Sequence, residues 1–249
     1  MSVKNLLVLS AAALTVVGAS AALAGGPDHM AMAAAAPASQ NSVYVDLHAG
    51  YAQSNWTENN TNGVMGGSRS SVGGLFAPSS NGKGGFTGAA DLGYNFTQNV
   101  ALEAGWFYLP EVKGNVTSIG RGVAAAGSTA KVNSWFAYTA AKLSVPVMEN
   151  VDLFGKVGVA YRELSYDVPA TVSALGATGT GNYWSPIFGA GLEYTLGSWL
   201  VGAQYTYLPS NEAVNRALSS STTLAGCGAP NAAPDVNLYT AFLGYTFNV

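Results

Sequence analysis

The sequence predicts an all-β protein: eight antiparallel strands closed as an up-and-down transmembrane β-barrel, with short periplasmic turns and long extracellular loops. Three observations support this prediction. The hydrophobic pattern repeats every two residues, each repeat is long enough for a tilted strand to cross a bilayer, and short connections alternate with long ones. Only 9% of the residues are charged and 31 are Gly, a composition that argues against intrinsic disorder.

Eight runs of alternating apolar and polar residues follow one another from Val43 onward. In the first run, Val45 and Leu47 lie on one face, while Asp46 and His48 lie on the other. The runs cover residues 43–51, 86–96, 100–108, 134–145, 151–162, 184–194, 199–207 and 239–248. They exceed the length of about 5–6 residues that is typical of globular strands. They match the roughly 9–11 residues that a tilted membrane strand requires, so each run is predicted to be one barrel strand.

The ionisable side chains of these runs fall on the face opposite the apolar one. They are Asp46, His48, Asp91, Glu103, Lys142, Lys156, Arg162 and Glu193. Eight strands enclose a lumen that side chains can fill, and an unpaired buried charge is costly. We therefore expect these residues to form an ion-pair network that plugs the lumen and fixes the strand register. A narrow polar path for ions is the alternative interpretation.

The connections and the aromatic residues orient the barrel. Short connections at 97–99, 146–150 and 197–198 alternate with the long segments 55–82, 113–130, 167–182 and 209–234. An even number of strands then places both termini on the short-turn side, the periplasm. Aromatic residues crowd both ends of the strands, as in the two girdles of membrane barrels. Those predicted near the loops are Trp56, Phe86, Trp106, Tyr108, Trp135, Tyr161, Trp184 and Tyr207.

The N-terminus predicts export. Residues 1–24 contain Lys4, an apolar stretch and a small-residue site ending at Ala24, the pattern of a cleaved signal peptide. Residues 25–42 lack periodicity and are interpreted as a flexible periplasmic leader, so the barrel spans residues 43–249. His29 and the leader methionines lack the spacing of a metal site, and no metal or cofactor is expected.

Three segments resemble a known family. These are LGYNFTQNVALEAGWFYLP (92–110), LEYTLGSWLVGAQYTYLP (192–209) and the ending FLGYTFNV (242–249). They look like the eight-stranded outer-membrane β-barrel proteins related to the OmpA barrel, OmpX and OmpW. The resemblance implies a location in the bacterial outer membrane and insertion by the outer-membrane assembly machinery. It also implies a C-terminal assembly signal at Gly244, Phe247 and Val249, with Val at the last position, where Phe is usual.

The function predicted from these features is that of an integral surface protein without catalysis. The chain has two His residues, and neither is predicted at the outer rim, where the catalytic groups of barrel enzymes lie. A formal charge of −3 excludes a basic nucleic-acid binder. The alternatives are a small porin-like channel, and an adhesin or an OmpW-like route for small apolar molecules. The expected partners are outer-membrane lipid, lipopolysaccharide and the assembly machinery.

Cys227 is the single cysteine of the chain and lies in the last predicted loop. An intrachain disulfide is therefore impossible. Cys227 is predicted to be either a free thiol or the site of an intermolecular disulfide.

Overall fold

A computed structural model describes residues 41–56, 73–119, 129–167, 178–211, 213–214 and 233–248. The predicted signal peptide, nearly all of the predicted leader, Cys227 and Val249 lie outside these residues. The described strands are β1 (Ser42–Gln53), β2 (Gly73–Ser80), β3 (Gly84–Asn95), β4 (Val100–Ile119), β5 (Thr129–Met148), β6 (Val151–Asp167), β7 (Thr178–Leu196), β8 (Trp199–Leu208) and β9 (Val236–Asn248).

Eight of these strands form a closed antiparallel barrel. The order around the wall is β1, β3, β4, β5, β6, β7, β8 and β9. β9 pairs with β1 from Ser42 opposite Asn248 to Gln53 opposite Asn237, which closes the sheet. The prediction of an eight-stranded up-and-down barrel is confirmed. Closure leaves the barrel wall without an open sheet edge, as a hydrocarbon environment requires.

The ninth strand, β2, corrects the interpretation of residues 55–82 as a loop without strands. β2 pairs with the far part of β4, from Gly73 opposite Ile119 to Ser80 opposite Lys113. β3 leaves this part of β4 unpaired, because the β3–β4 ladder ends at Gly88 and Tyr108. β2 therefore continues the sheet beyond the barrel wall. Its sequence begins Gly-Gly and lacks strong alternation, so the period of two did not reveal it.

Two other long connections are shorter than predicted. β4 continues to Ile119 and β5 begins at Thr129, within the predicted loop 113–130. β6 ends at Asp167 and β7 begins at Thr178, so the third long connection also loses residues to strands. These extensions lie beyond the apolar part of each strand. Their outward positions carry polar residues such as Lys131, Glu163 and Asp167, so the apolar outer face that marked the other runs is missing.

The three short connections on the other side of the barrel are confirmed, and the second is shorter than the predicted 146–150 because β5 continues to Met148. They comprise residues 96–99, 149–150 and 197–198. Asn150 and Gly197 have φ angles of 61° and 64°, in the left-handed region that Gly and Asn tolerate best. These residue types allow each of these two chain reversals within two residues.

Proline marks the places where the ladders are interrupted. Pro78, Pro110 and Pro146 each lie at a shift of register, in the β2–β4, β4–β5 and β5–β6 ladders respectively. Pro186 lies in β7 before its pairing with β8 begins at Phe188. Proline has no N–H to donate, so it is tolerated only at bulges and edges.

The two faces of the wall differ as the alternation predicts. Outward residues are exposed to the surroundings of the barrel, including Leu47 at 64%, Phe86 at 67% and Trp184 at 65%. The inward charged residues are buried. Trp56 departs from the prediction: it is only 7% exposed and packs at the end of the interior with Val112 and Leu164, so it does not belong to the outer girdle. Among the described residues, no helix is long and apolar enough to cross a membrane.

Candidate functional site

The candidate site is the polar layer inside the barrel. All eight ionisable residues predicted to face the lumen are at most 8% exposed. Asp46 and His48 come from β1, Asp91 from β3, Glu103 from β4, Lys142 from β5, Lys156 and Arg162 from β6, and Glu193 from β7. Each points inward because it occupies the same phase of its strand's alternation as the other buried residues.

Glu103 is the centre of the larger cluster. Its carboxylate accepts hydrogen bonds from the hydroxyl of Tyr44 at 2.8 Å and from the ammonium of Lys156 at 2.5 Å. The hydroxyl of Tyr138 also donates to it. The side chain is 0% exposed, so all three contacts are shielded from water. A buried carboxylate with three donors and one positive charge is well compensated.

Asp91 joins this cluster from the neighbouring strand. Its Oδ2 lies 2.6 Å from the Tyr138 hydroxyl, whose single proton can be donated to only one of the two carboxyl groups, and 3.9 Å from Lys156 Nζ. His48 Nε2 lies 2.9 Å from the same oxygen, although its orientation does not give a well-aligned hydrogen bond. The His48 ring lies between Phe107 and Phe242, with centroids 5.8 Å and 5.1 Å away. Asp91 thus links three strands around Glu103.

Lys142 and Glu193 form a second, separate pair. Lys142 Nζ lies 2.7 Å from Glu193 Oε2. The same ammonium lies 4.8 Å from the centroid of the Tyr44 ring and 4.6 Å from that of Phe154. Contacts at these distances are favourable cation–π interactions. Tyr44 therefore connects the two clusters, because its ring contacts Lys142 and its hydroxyl binds Glu103.

Two of the eight residues stand outside these pairs. Asp46 is 1% exposed, and its Oδ1 has no hydrogen-bond partner among the described residues. It lies against Gly244, where a Cβ atom would be 1.8 Å from that oxygen. Arg162 lies nearer the loops and donates to the Tyr183 hydroxyl at 3.2 Å and the Pro234 carbonyl at 2.7 Å. In the described part of the chain, neither residue has an oppositely charged partner within ion-pair distance.

Apolar layers above and below the charges were missed by the sequence analysis. On the turn side, one buried cluster contains Tyr44, Ala101, Phe154, Leu200 and Phe242. On the loop side, Phe107 and Phe136 stack with centroids 4.9 Å apart, within a larger cluster that includes Ile187, Leu208 and Leu238. The signal was present, because Phe154 and Phe242 share the inward phase of Lys156 and Thr240. The interior is thus not polar throughout: a charged layer lies between two apolar ones.

Interior glycines make room for the large side chains. A Cβ atom at Gly93 would lie 2.0 Å from the Tyr44 ring, and one at Gly202 would lie 2.3 Å from the Phe242 ring. Each aromatic ring therefore lies across the glycine of a neighbouring strand. This arrangement lets bulky residues fill a narrow lumen.

One small cavity lies beside the charged residues in the described part of the interior. A cavity of about 10 Å³, near the minimum for a single water, is lined by Tyr138, Ala140, Lys156, Ile187, Gly189 and Thr206. Within the described ranges, no three His, Cys, Asp or Glu residues are grouped to hold a metal ion.

Two residues of the predicted assembly signal lie in β9. Gly244 faces inward against Asp46, which gives it a packing reason of its own. Phe247 points outward and is 49% exposed. Its ring contacts Tyr245, with centroids 4.8 Å apart.

Comparison with known proteins gives one family and several related folds. Residues 38–248 match the OmpA-like transmembrane domain. The chain is similar to OprG of Pseudomonas aeruginosa, with 12% identity and a TM-score of 0.49 over 86% of this chain and 99% of that chain. It is similar to Ail, the attachment invasion locus protein of Yersinia pestis, with 15% identity and a TM-score of 0.42 over 84% and 99%. It is also similar to the N-terminal barrel domain of Pseudomonas aeruginosa OprF, with 10% identity and a TM-score of 0.45 over 84% of this chain and 100% of that chain. No curated protein sequence matches the chain.

Proposed function

Because the chain belongs to the OmpA-like transmembrane domain family, we propose that it is an integral surface protein of the bacterial outer membrane with a plugged lumen. Its barrel anchors the chain in lipid and displays long connections on the extracellular side. In this role the protein carries out no catalysis and needs no cofactor. The function is structural, with surface interactions made by the loops.

The observation that carries this proposal is the pairing of buried charges inside the barrel. The Glu103 cluster and the Lys142–Glu193 pair cross the interior, and apolar layers lie on both sides of them. Opening a path would require separating buried ion pairs. Leaving one buried charge without its partner costs about 3–5 kcal/mol of stability. The same pairs join β4, β5, β6 and β7 and so support a single register.

Single-channel recording of the refolded protein in a planar bilayer tests the proposal. We expect no discrete openings from the unaltered barrel. Lys142→Ala, Lys156→Ala and, as an exposed control, Lys131→Ala are recorded in parallel. Discrete openings of the unaltered barrel would overturn the plug, and a change in them with Lys142→Ala but not with Lys131→Ala would assign the path to the charged residues.

A small porin-like channel for ions is the second candidate. One observation favours it: four buried acids, Asp46, Asp91, Glu103 and Glu193, face only two buried lysines in this layer. Such an excess of negative charge favours cations, so any openings should be cation-selective. An OmpW-like route for apolar molecules is disfavoured by the charged layer, and an adhesin role would rest on loop residues outside the described ranges.

We also propose that the partners are outer-membrane lipid, lipopolysaccharide and the assembly machinery. The exposed apolar band and the aromatic residues at both of its edges support contact with lipid. The position of Phe247 on the outer face of the last strand supports its recognition during assembly. Phe247→Ala should lower the amount of inserted barrel, measured by heat-modifiable gel mobility, and an unchanged amount would remove this residue from the signal.

The proposed absence of catalysis is supported by the position of His48. This histidine lies inside the barrel, 5% exposed and beside Asp91, away from the rim where lipid A would be reached. Lipid A acyl-chain composition should be the same in cells with and without the protein.

A further inference from the structure

The two ends of the last long connection are buried at the loop-side end of the barrel. We call residues 208–211 and 233–236 the loop base. Leu208, Asn211, Ala233 and Val236 are at most 3% exposed. The Asn211 amide donates to the Ala233 carbonyl at 3.4 Å, and the Ala233 amide donates to Asn211 Oδ1 at 3.0 Å. The two halves of the loop base are therefore bound to each other.

The part of the barrel wall formed by β6 and β7, next to β8, holds both halves. Arg162, from β6, donates to the Pro234 carbonyl at 2.7 Å. Tyr183, from β7, donates to the Pro209 carbonyl at 3.1 Å, and Ser185 donates to the same carbonyl at 3.3 Å. Arg162 and Tyr183 also contact each other at 3.2 Å. One wall thus supplies donors to carbonyls on each side of the loop base.

These carbonyls depend on the wall for their hydrogen bonds. Neither half of the loop base is paired in a sheet ladder at Pro209 or Pro234. Buried carbonyl groups are costly without a donor. Arg162 is 1% exposed and is the largest fully buried side chain among the described residues. Its guanidinium is therefore shielded from water and is bound to neutral acceptors, the Pro234 carbonyl and the Tyr183 hydroxyl. Ala233 itself belongs to a buried apolar cluster that includes Trp56, Val112 and Val132.

We propose that the loop base is a lid on the extracellular end of the lumen and that Arg162 and Tyr183 form its latch. The lid is a second barrier, separate from the charged layer. It closes the lumen from outside whether or not the charged layer conducts.

The lid is tested by the rate at which a thiol reagent reaches the part of the lumen next to the loop base. Ala160 is 0% exposed and lies two residues from Arg162 on the inward face of β6. The Ala160→Cys reporter is placed in a Cys227→Ser background, refolded into lipid vesicles and treated with a membrane-impermeant thiol reagent. Arg162→Ala should raise the labelling rate about tenfold or more, because losing a buried hydrogen bond favours the open state. Lys131→Ala removes an exposed positive charge at the loop end and should leave the rate within about twofold.

Two further variants keep the test decisive. Arg162→Lys keeps a donor for Pro234 and should give an intermediate rate. Tyr183→Phe removes one donor from Pro209 while Ser185 remains, so its increase should be smaller; it also carries the test if Arg162→Ala does not fold. Unchanged labelling in the folded variants, judged by heat-modifiable mobility, would overturn the latch, as would an equal increase in Lys131→Ala.

Discussion

The strongest test of the charged layer is removal of its central carboxylate. Glu103 is fully buried and accepts from Tyr44, Tyr138 and Lys156. Glu103→Leu leaves the Lys156 ammonium buried, with Asp91 3.9 Å away as its nearest acid. Removing one partner of a buried ion pair costs about 3–5 kcal/mol. We expect the free energy of unfolding to fall by that amount, measured by urea unfolding in lipid vesicles with circular dichroism.

A double-mutant cycle separates the pair from its surroundings. Lys156→Met alone should cost about 3 kcal/mol, somewhat less than Glu103→Leu, since Tyr44 and Tyr138 still donate to Glu103. The double variant Glu103→Leu/Lys156→Met should be more stable than the sum of the single changes predicts, by about 2–3 kcal/mol. As the control, Glu103→Leu with Lys131→Met should be additive. If the Glu103–Lys156 cycle is also additive within about 0.5 kcal/mol, the pair does not stabilise the barrel as argued.

Three other predictions concern the wall, the packing and the thiol. Leu47→Lys, at an outward position 64% exposed, should lose about 2–4 kcal/mol of unfolding free energy in vesicles, whereas Met148→Lys beside a short turn should lose at most about 1; equal losses would contradict the assigned lipid band. Gly93→Ala places a Cβ atom 2.0 Å from the Tyr44 ring and should lower the free energy of unfolding by about 1–3 kcal/mol. A Cβ atom added at Gly155 has its nearest neighbour 4.0 Å away, so Gly155→Ala should change the free energy of unfolding by less than about 1 kcal/mol. If Cys227 pairs between two copies, the protein should run as a dimer on a gel without reductant and as a monomer with it, and Cys227→Ser should remove the dimer; identical mobility would exclude the intermolecular disulfide.

The sequence predicted the features that depend on local alternation. Leu47 and Asp46 face opposite sides because neighbouring residues of a strand must do so. The turn at Gly197 was also predictable, because a two-residue reversal needs a residue that tolerates a positive φ.

The specific partners within the interior could not be predicted in the same way. Glu103 and Lys156 lie on strands separated by β5, and their contact depends on the tilt and stagger of the closed barrel. Those quantities belong to the whole sheet and not to any segment. The contact between Arg162 and Pro234 likewise depends on how the chain leaves β8 and returns to β9, which no periodicity encodes.

The unequal lengths of the strands have a consequence for how the chain enters the membrane. The β5–β6 ladder continues to Lys131 opposite Asp167, well past the roughly 9–11 residues needed to span the hydrocarbon. If insertion starts from the periplasm, these polar tips must traverse the bilayer before they reach the far surface. A peptide group without a hydrogen-bond partner is costly in hydrocarbon. The strands should therefore cross the bilayer as preformed hairpins, in which the backbone hydrogen bonds of the polar ends are already formed.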